Sequence, residues 1–272
     1  MKKKSFSILL IMLFLSLGIC AQKVPKSNFE LDTIPMKSIT FAYGQSYKLK
    51  LDNTYSRLAK NGFNHLLNLE FLTLNINRII EIQSNFMLGT LKTKGNNINL
   101  IDAYSGNIKL RYLENIKAIN IKNLSLYVGG NINFSGEMWF PHGSELRYAW
   151  DIYFGIGLSS SLRYKINTIF SFQYDLDFSL FGVLWRSHNN GQQLITEEIQ
   201  LEKGLISTVF EKHRFSHVFN TLHMDNVFKL TYSISNKMDF YYKFTLSYEY
   251  IKQPLIKKGY EFNNSIGVIC KF

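Results

Sequence analysis

The chain has 272 residues, aromatic side chains make up 15% of it, and its formal net charge is +11. A strongly basic protein invites a nucleic-acid function, but this chain has no dense run of lysine and arginine. It also has no cysteine pair, no glycine-rich phosphate loop and no aspartate-rich calcium motif. We therefore expect no nucleic-acid partner, no cofactor and no metal.

Residues 1–21 have the features of a secretory signal peptide. Basic residues 2–4 precede an apolar run over residues 8–17, and Ala21 precedes the predicted cleavage site. The apolar run is shorter than the roughly 20 residues that a membrane helix needs. Cys20 leaves a lipoprotein as the alternative, but Ile19 stands where a lipobox has a small residue. Residues 22–37 are polar and predict a short periplasmic segment.

Residues 38–272 carry long stretches in which apolar and polar side chains alternate. The clearest apolar series is Leu146, Tyr148, Trp150, Ile152, Phe154, Ile156 and Leu158. Between its members lie Arg147, Ala149, Asp151, Tyr153, Gly155 and Gly157. Neighbouring residues of a strand point to opposite faces, so this pattern predicts one apolar and one polar face. Its length exceeds the five or six residues usual in soluble strands and matches the roughly 9–11 that cross a membrane.

Turn signals divide this region into about thirteen candidate strands. Gly129-Gly130, residues 159–161 and Asn236-Lys237 predict short turns, and residues 188–191 predict another. Residues 203–223 and 253–261 predict long outer loops. Bacterial barrels close with an even number of strands, so one candidate must be removed. Residues 62–75 alternate least well and fit either an outer loop with a short helix or an irregular strand. They are the candidate removed, which leaves about twelve strands, within a range of about 10–14.

The last 36 residues show the pattern up to the final residue. Phe240, Tyr242, Phe244, Leu246, Tyr248 and Tyr250 share one face, and Ile266, Val268, Cys270 and Phe272 share another. An amphipathic last strand ending in phenylalanine resembles the C-terminal strand of bacterial outer-membrane β-barrels. The resemblance implies an all-β antiparallel transmembrane barrel in the outer membrane, with both termini in the periplasm. It also implies that Phe272 belongs to the signal read by the barrel-assembly machinery, and that the other partners are membrane lipid and lipopolysaccharide.

Charged residues on the polar faces are predicted to line the lumen. They are Arg147, Asp151, Arg163, Lys165, Lys229, Lys243 and Glu249, together with Asp175 and Asp177. They either pair with one another and fill a small barrel, or form a charged constriction that selects solutes. Because lysine and arginine slightly outnumber the acids in this set, a pore would be mildly anion-preferring.

The catalytic signals are weak. Residues 186–191 are similar to the His-x-Ser-Asn motif of outer-membrane lipid hydrolases, with His188 as the candidate base. Asn190 stands where those enzymes have the serine, and the strand count places this turn on the periplasmic side. His213, His217 and His223 with Glu211 form a candidate metal set, but a solvated loop is the simpler interpretation.

The leading functional hypothesis from the sequence is a small pore for solutes. The alternatives are a phospholipase-type or lipid A deacylase-type hydrolase, and a closed structural or adhesive barrel that acts through its outer loops. Fold alone does not separate these three classes.

Overall fold

The computed structural model describes residues 36–52, 56–93, 96–116, 123–142, 149–186, 213–217, 220–252 and 256–272. The predicted signal peptide lies outside these residues. So does the predicted periplasmic segment, except for Met36 and Lys37, which begin the first strand.

The described chain contains eleven strands. They are β1 (Met36–Asp52), β2 (Ser56–Leu74), β3 (Arg78–Thr93), β4 (Asn96–Asn115), β5 (Leu124–Pro141), β6 (Ala149–Lys165), β7 (Phe170–Arg186), β8 (His213–His217), β9 (Thr221–Ser233), β10 (Met238–Ile251) and β11 (Lys257–Lys271). Within the described residues, no helix is long and apolar enough to cross a membrane.

The strands form one closed antiparallel barrel. Strands that are neighbours in sequence pair with one another, except β8 and β9, and β1 pairs with β11. The short β8 pairs with residues 181–185 of β7, and β9 pairs with residues 170–178 of the same strand. β8 and β9 therefore share one position, and the barrel has ten strand positions. The predicted antiparallel barrel is confirmed, and the count of about twelve is wrong.

The strand count was too high because two predicted turns lie inside strands. Gly129-Gly130 lies within β5, and residues 159–161 lie within β6. At Gly129 a β-carbon would collide with the carbonyl oxygen of Tyr112 on the adjacent strand. This glycine therefore allows close strand approach, and its pairing with Leu113 continues the sheet.

The rejected segment 62–75 is a strand as far as Leu74, and it belongs to β2. Its alternation is obscured because Leu66 and Leu72 point into the barrel while Leu67 and Leu69 point out. Both faces of β2 thus carry leucine. The removal of this stretch from the strand count is wrong, because apolar residues also pack inside the lumen and hide the alternation.

Two predicted outer loops are shorter than expected. Residues 213–217 and the residues from Thr221 onward are strand, which corrects the loop predicted over residues 203–223. β11 begins at Lys257, which shortens the loop predicted over residues 253–261. The turn predicted at Asn236-Lys237 is confirmed between β9 and β10.

The outer surface of the barrel is apolar and the inner surface is polar. Phe41, Phe63 and Ile266 are 60%, 69% and 67% exposed, whereas Lys48 and Arg111 are each 2% exposed. This is the inverse of a soluble protein and matches a barrel that faces lipid. Alternation within each strand produces the two faces.

The two ends of the barrel differ in their connections. β1 starts and β11 ends at what we call the termini end, where short turns join β2 to β3, β6 to β7 and β9 to β10. The opposite end is called the far end. β7 ends there at Arg186. The prediction that the turn after Arg186 lies on the side of the termini is therefore wrong.

Candidate functional site: the barrel lumen

An apolar cluster lies inside the barrel at the termini end. Leu72, Ile79, Leu113 and Tyr127 are buried together, with Met36 and Leu74 packed against them. Ile79 and Leu113 have no exposed surface. They come from β2, β3, β4 and β5, so the cluster occupies one side of the opening. Apolar side chains of this size leave no room for water beside them.

A buried ion-pair network lies directly above this cluster. Arg111 on β4 contacts Glu81 on β3 at 2.9 Å and reaches Asp175 on β7 at 3.1 Å. Its Nε lies 3.2 Å from Asp177, also on β7. Lys109 contacts the same Asp177 at 2.8 Å. β4 and β7 are three positions apart around the barrel, so these pairs cross its interior.

Further ion pairs extend this network across the lumen. Lys109 also contacts Asp225 on β9, which is four positions away from β4. Lys229 on β9 contacts Glu70 on β2 with 2.9 Å between Nζ and Oε1, and Lys243 approaches the same carboxylate at 3.9 Å. Mutual pairing satisfies these charges, which would otherwise be costly to bury. We call all of these residues the lower ion network.

Amide side chains surround the middle of the lumen. Asn68 donates to Asn85 at 2.6 Å, and Asn107 donates to Asn133 at 2.6 Å. These residues belong to the lining of a cavity of about 160 Å³ that also includes Lys48 and other polar groups. A volume of this size holds several water molecules.

A second network, the upper ion network, lines the same cavity on the side toward the far end. Glu137 on β5 accepts from Lys48 at 3.3 Å and contacts Lys50, both on β1. Lys257 on β11 contacts Asp151 on β6 at 2.5 Å and Glu249 at 3.1 Å. The strands in each cross-lumen pair are four positions apart. This network therefore also spans the barrel.

Apolar groups follow the upper ion network toward the far end. One cluster contains Leu91, Ile101, Ala103 and Trp139, and another contains Tyr153, Leu184 and Ile251. His223 packs on Tyr153 with 4.2 Å between ring centroids, and its Nδ1 lies 3.9 Å from Glu249. Its Nε2 has no hydrogen-bond partner in the described structure. Among the described residues, no group of side chains around this histidine could hold a metal ion.

The charges predicted from the sequence fall in different places. Asp151, Lys229, Lys243 and Glu249 point inward and take part in the two networks. Arg163 also points inward near the lower network, and Lys165 is exposed at the termini end of β6. Arg147 and the candidate base His188 lie outside the described residues, as does Glu211. The side chains of His213 and His217 are likewise not described.

Several lumen charges were missing from the predicted set. They are Lys48, Lys50, Glu70, Glu81, Lys109, Arg111, Glu137, Asp225, Lys257 and Glu261. Most of them lie on the polar face of strands that the sequence predicts, so the same alternation rule would have found them. Glu70 was missed because β2 was rejected as a strand. With these residues included, acids and bases inside the barrel are about equally numerous.

No family model matches the chain, and no curated protein matches it. Solved structures do. The outer-membrane protease OmpT from Escherichia coli aligns with a TM-score of 0.56 and 8% identity, over 93% of this chain and 100% of that one. The translocator domain of the autotransporter NalP from Neisseria meningitidis aligns with a TM-score of 0.43 and 8% identity, over 99% of this chain and 98% of that one. An outer-membrane channel from Pseudomonas putida aligns with a TM-score of 0.35 and 13% identity, over 92% of this chain and 100% of that one.

Identities this low establish shared architecture and not shared activity. The match to OmpT covers nearly all of both chains, and it agrees with the closed barrel and apolar exterior described above. The chain therefore has the fold of the bacterial outer-membrane β-barrel proteins.

Proposed function

We propose that this protein is an outer-membrane barrel with a closed lumen, which acts as a membrane-embedded scaffold and not as an open solute pore. The termini lie on the periplasmic side in this proposal, and the far end faces outward. The apolar exterior and the fold support the membrane location. The sequence favoured a pore, and the interior of the barrel favours the closed alternative.

The observation that carries the proposal is the set of ion pairs that cross the lumen. Arg111 to Asp175, Lys229 to Glu70, and Lys48 to Glu137 each join strands on different sides of the barrel. Water-filled porins have 16–18 strands, whereas in narrow barrels the interior is filled by side chains. Arg111 is only 2% exposed, so its side chain does not line a water-filled path.

Conductance across a planar bilayer tests the closed lumen. We expect the purified protein to show no stable single-channel steps.

The opposite result would overturn the proposal. Stable steps from the unaltered protein, with a reversal potential that shifts when lumen charges are neutralised, would establish a pore. Release of fatty acid from phospholipid or lipid A, lost on His188→Ala, would instead establish the hydrolase alternative.

A further inference from the structure

Three polar side chains lie next to one another on the outer face of β2, β1 and β11. The strand register pairs His65 with Gln45, and Gln45 with Asn264. All three side chains are exposed on the outside of the barrel. We call His65, Gln45 and Asn264 the polar row.

Large apolar side chains border the polar row on both sides along the strands. Toward the termini end lie Tyr43, Leu67 and Ile266, and toward the far end lie Tyr47, Phe63 and Phe262. Tyr47 packs on Phe63 with 5.0 Å between ring centroids, and on Phe262 with 6.5 Å. The polar row therefore lies within the apolar band and not beyond its edge.

The same line of paired residues becomes apolar on either side of the polar row. On one side, His65 pairs with Leu88, Leu88 pairs with Tyr104, and Tyr104 pairs with Met138. On the other side, Asn264 pairs with Phe244, and Phe244 pairs with Phe228. The polar residues are thus confined to three neighbouring strands. A surface that faced only lipid would carry apolar residues here as well.

The barrel itself satisfies this polar row only in part. The Tyr43 hydroxyl is 2.6 Å from His65 Nδ1, and the Tyr242 hydroxyl donates to Asn264 Oδ1 at 2.6 Å. The amide of Gln45, in the middle, forms no hydrogen bond within the described residues. In hydrocarbon an amide without a partner is costly, so a partner outside this chain is required.

The chemistry of the polar row selects the kind of partner. Two amides and an imidazole carry no fixed charge, and the outward base Lys258 lies beyond Phe262 and Tyr260 toward the far end. A phosphate-bearing lipid headgroup would be held by lysine or arginine. A primary amide both donates and accepts, so Gln45 can pair with its own copy across a two-fold axis, as an isologous interface requires.

We propose that the outer face of β2, β1 and β11 is the interface of a homodimer, with Gln45 at the two-fold axis. This proposal rests on the membrane location proposed above. Gln45 then hydrogen-bonds to Gln45 of the partner subunit, with His65 and Asn264 on either side of the axis. The surrounding rings of Tyr47, Phe63 and Phe262 supply the apolar contact.

Disulfide cross-linking in native membranes tests the position of the axis. Cys270 is exposed on the same face and would react, so the background is Cys270→Ser. Gln45→Cys should form a disulfide-linked dimer on mild oxidation. Met138→Cys, which also faces outward but lies on β5 away from the polar row, is the matched control and should remain monomeric.

Gln45→Leu tests the role of the amide. Leucine suits a lipid-facing position, so the barrel should still fold, which heat-modifiable migration verifies. We expect dimerisation of fluorescently labelled protein in lipid vesicles to weaken at least tenfold, and Met138→Leu to have no effect. The proposal would be overturned by equal cross-linking at the two cysteine positions, or by a Gln45→Leu variant that dimerises as tightly as the unaltered protein. It would also be overturned if the protein were a monomer that loses bound lipopolysaccharide when Gln45 is changed to leucine. Conductance is measured separately, so the closed lumen and the dimer can fail independently.

Discussion

Lys229 and Glu70 are 159 residues apart in the chain, and their side chains meet across the barrel with 2.9 Å between Nζ and Oε1. Both residues are buried, at 4% and 3% exposure, and Lys229 also lies over the ring of Tyr241 at 4.6 Å. Pairs of this kind join distant strands through the lumen. These ion pairs inside the lumen therefore help to stabilise the barrel.

Glu70→Gln should lower the free energy of unfolding by about 3 kcal/mol, because it leaves Lys229 and Lys243 buried without their carboxylate. The double change Glu70→Gln with Lys229→Met should recover part of this loss, since it removes one charge of each sign but leaves Lys243 without the carboxylate. Urea unfolding in lipid vesicles measures both. Glu114→Gln, at an exposed site, should stay within about 0.5 kcal/mol of the unaltered protein. A loss at Glu70 no larger than that at Glu114 would contradict this account of the network.

Adding a methyl group at Gly157 should destabilise the barrel. A β-carbon there meets the carbonyl of Phe178 and lies 2.9 Å from Ser179 Cα, at the register shift between β6 and β7. We expect Gly157→Ala to lower stability by about 1–3 kcal/mol or to prevent assembly. A β-carbon at Gly136 would meet only the carbonyl oxygen of Asp151, at an ordinary van der Waals distance of 3.9 Å, so Gly136→Ala is the matched control. Equal stability of the two variants would show that the strands adjust freely at Gly157.

Cell fractionation should recover the protein in the outer membrane. After extraction without heating, it should migrate faster on a semi-native gel than after boiling, because a closed barrel stays folded and compact in detergent. A protein recovered in soluble form from the periplasm would contradict the membrane location.

Phe272→Asp should impair assembly more than the contacts of Phe272 suggest. Its side chain is 67% exposed, and its ring lies 6.5 Å from that of Phe71. The expected cause is loss of the signal that the assembly machinery reads in the last strand. Phe71→Asp, on the same outer face and in the same ring pair, is the control, and the outer-membrane levels of both variants are compared. Equal levels would mean that Phe272 acts only as a lipid-facing side chain.

Alternation alone correctly predicted most of the strands and which face of each is apolar. It failed where both faces carry apolar residues, as at Leu66 and Leu72 of β2. The outward parity also changes near Leu180, where the register shift places Ile156 opposite Phe181 and Gly157 opposite Ser179. A bulge of this kind inserts a residue into one strand and changes which parity faces out.

The sequence by itself determined the class of fold and the polarity of the two faces, because a period of two is a local property of each strand. Only the tertiary structure decided that the barrel has ten positions, since strand number depends on which glycines and serines continue a strand and which end it. Tertiary structure also decided which charges pair with one another across the lumen. Lys229 and Glu70, or Arg111 and Asp175, become partners only when the sheet closes and brings non-adjacent strands within the reach of their side chains.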